Sequence, residues 1–403
     1  MQPEIPDRDI RPLRDPTGLT LPQAPRAVRA TDLKGLDFWG PDASVSSIRD
    51  NAIPYWHSNY RHRDRDAFSR DVVLPWLKRE FPSITKAEVA LDLACNCGIS
   101  AVALATSLPQ LMQITAIDRS PAALAVGEYL TGNQPSLAGA SPAAFMGFEE
   151  ALRKSRQEWC TELDQRAKIA FEWGDVCDLS RFSNSSFDLV YFAMGWHWAV
   201  KSGAPDSALA EIYRVMKPGA VFATYVFGLA DEFARRHCPD GRYLTESPIL
   251  RGMYEELEST TGVAGLANAV STDPPSVFPA VSGGSGLHDY FASRLSQYNE
   301  KFVAIKYQPL LVETAPPLLV EMAETQTAGH VQHFITGRSD LSANMHRFAK
   351  SRGEGVEQAL ISATAASFRH YKDSGLLAQS IEQHQELGRF YEVLPALAFQ
   401  KKG

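Results

Sequence analysis

From Val89 onward, short apolar runs alternate with helical patterns. V-A-L-D-L (89–93), I-T-A-I-D (114–118), A-F-E-W-G-D (170–175), F-D-L-V-Y-F-A-M (187–194) and A-V-F-A-T-Y-V-F (220–227) each predict a strand. The spacers read as helices at Ser100–Leu108, at Pro121–Leu130 with Ser120 as cap, and at Ser207–Met216 closed by K-P-G. Pro121 sits at a first helical position, where its missing N–H costs nothing. Apolar runs rather than strict alternation predict parallel strands buried on both faces.

Other stretches depart from this rhythm. Asp66–Phe81 predicts a helix with Phe68, Val72, Trp76 and Leu77 near one face, kinked at Pro75. Residues 1–45, rich in proline and arginine, read as an extended arm. The core would then run over 46–230, with an insertion at about 132–165 that reads as helical through F-E-E-A-L-R-K-S-R-Q-E-W. Residues 231–301, rich in Gly, Pro and Ser, read as a loop or lid. The segment 302–403 reads as two last strands, F-V-A-I-K-Y-Q (302–308) and F-Y-E-V-L-P-A-L-A-F-Q (390–400), around a helical cap at about 315–387.

Composition narrows the function classes. The 403 residues are 44% hydrophobic with a net charge of -7, and no basic stripe offsets that charge, which argues against a nucleic-acid partner. No apolar run approaches the roughly 20 residues of a spanning helix. The charged N-terminus M-Q-P-E-I-P-D-R-D lacks a signal-peptide core. Five cysteines form no disulfide framework, so the expectation is a cytoplasmic protein with no membrane partner. The arm and the 132–165 insertion are the elements that would carry a homodimer.

The chemistry concentrates after the first strand, in D-L-A-C-N-C-G (92–98). Ligands of doubly wound sheets bind outside the carboxyl ends of the strands, where this loop sits. Its one glycine, Gly98, suits helix entry, and Asn96 is among the residues that tolerate a left-handed backbone. One glycine is a poor match to a pyrophosphate cradle, and Asp92 disfavours phosphate while suiting cations or hydroxyls. Asp118 can take both hydroxyls of a ribose, and Asp175 with Val176 can read an adenine edge. Either strand-end acid could instead cap a helix, and G-D also makes ordinary turns. Cys95 and Cys97 read as small loop-lining residues: C-x-C needs further ligands for a metal, and no second Cys/His cluster has a zinc-like spacing, so no metal is expected. Ribose and adenine readers without a phosphate cradle fit S-adenosylmethionine better than NAD or ATP. His197, between Trp196 and Trp198 past the fourth strand, is either a core histidine or a base facing substrate.

These motifs resemble the class I S-adenosylmethionine-dependent methyltransferases, within them the small-molecule branch of the trans-aconitate and juvenile hormone acid methyltransferases. The family's D/E-x-G-x-G-x-G appears as Asp92-Leu-Ala94-Cys95-Asn96-Cys-Gly98, its ribose acid as Asp118 in A-I-D-R-S-P with Arg119 beside it, and its adenine motif as Asp175-Val176. F-D-L-V-Y-F-A-M-G-W-H-W and V-M-K-P-G-A match later motifs. The resemblance implies an α/β doubly wound Rossmann-like seven-stranded sheet with helical insertions and a helical cap. It implies S-adenosylmethionine as cofactor, S-adenosylhomocysteine as product, and in-line methyl transfer to a small hydrophobic or aromatic metabolite at a carboxyl or hydroxyl oxygen. Tyr60 or an arginine nearby would hold the cofactor's carboxylate, Trp56, His57, Trp196 and Trp198 would meet substrate, and His197 would be the base. The replaced glycines and long insertions also fit a methyltransferase-like enzyme that uses the cofactor's charge in a cyclisation or pericyclic step.

Overall fold

The structure, a computed structural model, describes residues 42–53, 56, 68–140, 144–145, 148–164, 166–196, 199, 205–225, 242–243, 247–266, 302–314, 316, 319–320 and 339–403. The chain divides into two compact units, 1–226 with 294–308 and 396–403, and 227–293 with 309–395.

The first unit is built on β1 (Val89–Leu93), β2 (Gln113–Asp118), β3 (Lys168–Trp173), β4 (Phe187–Ala193) and β5 (Met216–Tyr225). All their pairings are parallel. Hydrogen bonds order the sheet β3-β2-β1-β4-β5-β8-β6, with β7 (Phe302–Thr314) beside β8 (Phe390–Lys401) and β6 at Arg242–Tyr243. β8 runs antiparallel on β5, through Val221↔Gln400 to Tyr225↔Ala396, and β6 runs parallel to β8. This is the Rossmann-like seven-stranded path, with an eighth strand added. The chain lays down β1 to β3 in one direction, then returns to the other side of β1 for β4, so the switch point falls at the carboxyl end of β1.

Helices α1 (Leu74–Glu80), α2 (Ile99–Ser107), α3 (Pro121–Leu130), α4 (Glu149–Glu162) and α5 (Pro205–Val215) surround this sheet. β1 is buried at every position, which is why its sequence is a run. α2 is buried from Ser100 to Ala105, so its small residues show no polar face. Ser120 caps α3 by accepting the Ala123 N–H at 3.2 Å.

Three expectations need correction. The 66–81 stretch is not one regular helix: a π turn at Phe68–Val73 precedes α1. The extra residue in that turn shifts the buried face, so Val73 is buried and Val72 only half-buried. α5 ends at Val215, just before K-P-G, but the strand expected from Ala220 already starts at Met216, so K-P-G is not a loop between them. It lies inside β5, beside a register shift between Phe187 and Leu189, where an irregular ladder tolerates a proline with no N–H to give. The 231–301 stretch contains β6 and a 14-residue helix, α6 (Pro248–Thr261). Its signals were Pro248 at the start, buried Ile249, Met253, Leu257 and Thr261 four residues apart, and Gly262 at φ 65° as stop.

The second unit holds α6, α7 (Ser339–Arg352), α8 (Val356–Asp373) and α9 (Leu376–Leu387). Tyr254, Leu257, Met345 and Leu360 share one apolar cluster, and Ile249, Met253, Phe368 and Tyr371 another. Buried Ser247 and His384 share a hydrogen bond of 3.0 Å, and burial lowers the pKa of His384.

Candidate functional site

The site is organised by the turn that follows β1. Ala94, Asn96 and Gly98 have φ of 49°, 50° and 84°. These are the three left-handed positions of the loop, and two carry side chains. Single αL residues other than Gly or Asn cost about 1–2 kcal/mol, so Ala94 is held there by its surroundings. Gly98 is needed for space as well: a Cβ there would lie 2.5 Å from the Phe171 ring, and one on Gly127 would lie 2.6 Å from it. Phe171 of β3 thus wedges between the entry of α2 and the middle of α3.

Every N–H of the turn from Cys95 to Gly98 is consumed within the protein. Cys95 N donates to Ile117 O (3.0 Å) and Gly98 N to Cys95 O (2.8 Å). Asn96 N donates to Asp118 Oδ2 at 2.8 Å, and Cys97 N to the Asn96 side-chain oxygen at 2.8 Å. A pyrophosphate cradle requires such amides to face the ligand. Here they face inward, and the turn is left rich in acceptors.

Two carboxylates complete it. Asp92 is fully buried; its Oδ2 accepts the Ser100 hydroxyl at 2.6 Å, while its Oδ1 has no hydrogen-bond partner among the described residues. Burial, with the nearby Asp118 charge, pushes its pKa up to about 7 against the Ser100 hydrogen bond. Asp118, half-buried at the end of β2, accepts Ser120 N at 2.8 Å as well as Asn96 N. Burial also raises its pKa, opposed by those amides and by Arg119.

The adenine-end residues lie beside this pair. Gly174 N donates to Asp118 O at 3.0 Å and Trp173 Nε1 to Arg119 O at 3.1 Å. The Arg119 guanidinium is 3.6 Å from Asp175 Oδ2. Asp175 Oδ1 accepts Cys177 N at 2.9 Å, so the turn reading of G-D holds alongside any ligand role. Val176 is buried.

Cys95 and Cys97 are buried, and burial raises both thiols well above their usual pKa. Neutral thiols are poor metal ligands, and no group of three or more metal-ligating side chains occurs among the described residues. Trp56 and Trp196 are completely buried. Tyr60, His57, His197 and Trp198 lie outside the described residues.

Sequence reasoning missed three features. Ser100, in the first turn of α2, holds Asp92. Ser69 in the π turn bridges two buried tyrosines, Tyr191 at 3.0 Å and Tyr225 at 3.1 Å. Met194 leaves β4 at φ 54°, and the following Gly195 lies against the loop: a Cβ there would be 3.0 Å from the Ala94 methyl.

Residues 148–224 match the family model described as a methyltransferase domain. Over 103 residues, 26% of this chain, the sequence is 29% identical to demethylmenaquinone methyltransferase of Leptospira interrogans, in serovar copenhageni strain Fiocruz L1-130 and in serovar Lai strain 56601. The match spans 40% of those relatives' length. Among solved structures, a Haemonchus contortus phosphoethanolamine N-methyltransferase 2 with S-adenosylhomocysteine is 15% identical (TM-score 0.36, 88% of this chain, 60% of that one). The [4+2]-cyclase SpnF is 16% identical (TM-score 0.34, 82% and 81%), and Bacillus subtilis YcgJ 12% (TM-score 0.33, 81% and 98%). No helix among the described residues is long and apolar enough to cross a membrane.

Proposed function

We propose that the protein is an S-adenosylmethionine-dependent methyltransferase acting on a small molecule. The observation that carries this reading is the turn after β1, whose donors are used up internally while Asp92 Oδ1 is left buried and unpartnered. Such a site suits a ligand that brings donors and positive charge, and it does not suit a phosphate. The buried orphan acceptor and the two strand-end acids therefore fit this cofactor.

Asp118 would take the ribose hydroxyls, since each of its oxygens accepts one amide and retains a lone pair. Asp175 and Val176 would read the adenine, and Asp92 would face the cofactor's ammonium, with Ala94, Cys95, Asn96 and Gly98 shaping the turn. Tyr60 would hold the carboxylate. The bound cofactor supplies an activated methyl group, which leaves the protein to align the acceptor and exclude water; such positioning is worth roughly 7–11 kcal/mol. A carboxyl acceptor is already ionised and needs no base, whereas a hydroxyl would give its proton to His197. Trp56, His57, Trp196 and Trp198 would select a hydrophobic or aromatic substrate.

The test is transfer from methyl-labelled S-adenosylmethionine to a panel of hydrophobic acids and phenols that includes demethylmenaquinone. Label in an organic-soluble product supports the reading, and its release as methanol in mild alkali marks an ester. Tight cofactor binding with no movement of label overturns methyl transfer in favour of a cofactor-assisted rearrangement.

A further inference from the structure

Asp92 is an unusual place for a charge. Its side chain is fully buried, and the groups that face it are the Ser100 hydroxyl from α2, Asp118 from β2, Tyr191 from β4 and Cys95 from the loop. Tyr191 sits opposite it in the β1–β4 register. Among the described residues that set contains hydroxyls, a thiol and a second acid, and no cation. One oxygen has a single neutral donor and the other has none. A carboxylate so placed loses its hydration without compensation and keeps its proton instead.

We propose that cofactor binding is coupled to release of a proton from Asp92. This rests on the cofactor reading given above. When the ligand arrives, the O–H bond of the Asp92 carboxyl breaks, the proton passes to solvent, and the carboxylate pairs with the ligand's ammonium. The site therefore exchanges one cation for another, and below neutral pH the empty protein is largely spared an unpaired buried charge. Because burial raises the empty carboxyl to about 7, affinity should rise about tenfold from pH 6 to pH 8 for a ligand that keeps its ammonium proton, and fall where that ammonium titrates.

Calorimetric titration of the full-length protein with S-adenosylhomocysteine, in buffers of different ionisation enthalpy, counts the protons. Net release of between one-half and one proton per ligand at pH 6.5 is expected. Asp92→Asn should abolish the release that Asp92 supplies while leaving the ligand's own groups in place. Ser100→Ala, which keeps the carboxyl but removes its only donor among the described residues, should move the midpoint of the affinity profile to higher pH. Binding with heats that do not depend on the buffer, or an unmoved midpoint in Ser100→Ala, overturns the coupling alone. Absence of any binding overturns the coupling together with the cofactor reading.

Discussion

Two adjacent strands of this sheet carry an aspartate at or next to their carboxyl ends, and the two ends are built in opposite ways. Near the end of β1, Asp92 is fully buried, with one hydroxyl donor and one oxygen that has no partner among the described residues. At the end of β2, Asp118 is half-buried and receives a backbone N–H on each oxygen. The same residue type near the carboxyl end of a strand thus performs different work. Asp118 is a structural hub, since the turn after β1 and the cap of α3 both hang on its carboxylate. Asp92 is a reserve of unsatisfied polarity, tolerable while it keeps its proton and useful when a cation arrives.

The comparison breaks most directly at Asp118. Asp118→Ala removes the acceptor of two amides and, on the proposed reading, of two hydroxyls. Two hydrogen bonds to a charged group at about 1.5–3 kcal/mol each correspond to a loss of cofactor affinity on the order of a hundredfold or more. Isothermal titration with S-adenosylhomocysteine checks it, and an affinity within tenfold of the parent would remove Asp118 from the ribose site.

Asp92 offers the complementary test, in stability rather than affinity. Its folded pKa lies above its unfolded value, so protonation favours the fold. Below about pH 4 the carboxyl is neutral in both states and contributes nothing. Between there and about pH 7 the unfolded chain ionises and the fold does not, so a cost accumulates at about 1.4 kcal/mol per pH unit, then stays constant. On that scale the cofactor-free protein loses about 4 kcal/mol through Asp92 on going from pH 4 to pH 8. Glu172, half-buried beside Arg181 and also raised to about 7 by desolvation, adds a loss of the same sign. Thermal unfolding at pH 5.5 and pH 8 should show Asp92→Asn gaining stability at the higher pH and retaining only part of the parent's pH dependence. A variant as pH-dependent as the parent would mean that Asp92 is already ionised in the empty site.

What the sequence discloses follows the same physical divide. The stretch from Val89 to Leu130 is legible because apolar runs and a proline at a helix start mark its elements within a residue. The long polar helix α4 is legible from its composition, although only Leu152, Ser155 and Trp159 are buried. α6 was obscured by the glycine-rich and proline-rich chain that follows it. The π turn was invisible because one added residue leaves no compositional trace and only moves burial from Val72 to Val73. In the site, acids at strand ends are visible as letters. Their protonation and partners depend on Ser100 and on backbone amides brought in from neighbouring elements, which no local pattern records. The left-handed conformation at Ala94 is the clearest such case, since alanine gives no hint of it.

Ala94 also supplies the smallest test of the contrast between the two strand ends. Asn96, at φ 50°, suits its conformation: Asn visits the left-handed region readily, and its side chain caps Cys97 N. Ala94, at φ 49°, has no such compensation, and its methyl meets the turn at Gly195. Glycine at 94 would relieve about 1–2 kcal/mol of backbone strain and give back about 0.5–1 kcal/mol through the freer unfolded chain. Ala94→Gly should therefore stabilise the protein by about 0.5–1 kcal/mol, whereas Asn96→Gly, which loses a cap, should be neutral or destabilising. Denaturant unfolding of the pair decides it. If both glycines stabilise equally, the Asn96 cap contributes nothing. If neither does, the Ala94 methyl gains more from its contact with the β4 turn than its backbone loses, and the loop after β1 is held from the β4 side as firmly as Asp118 holds it from β2.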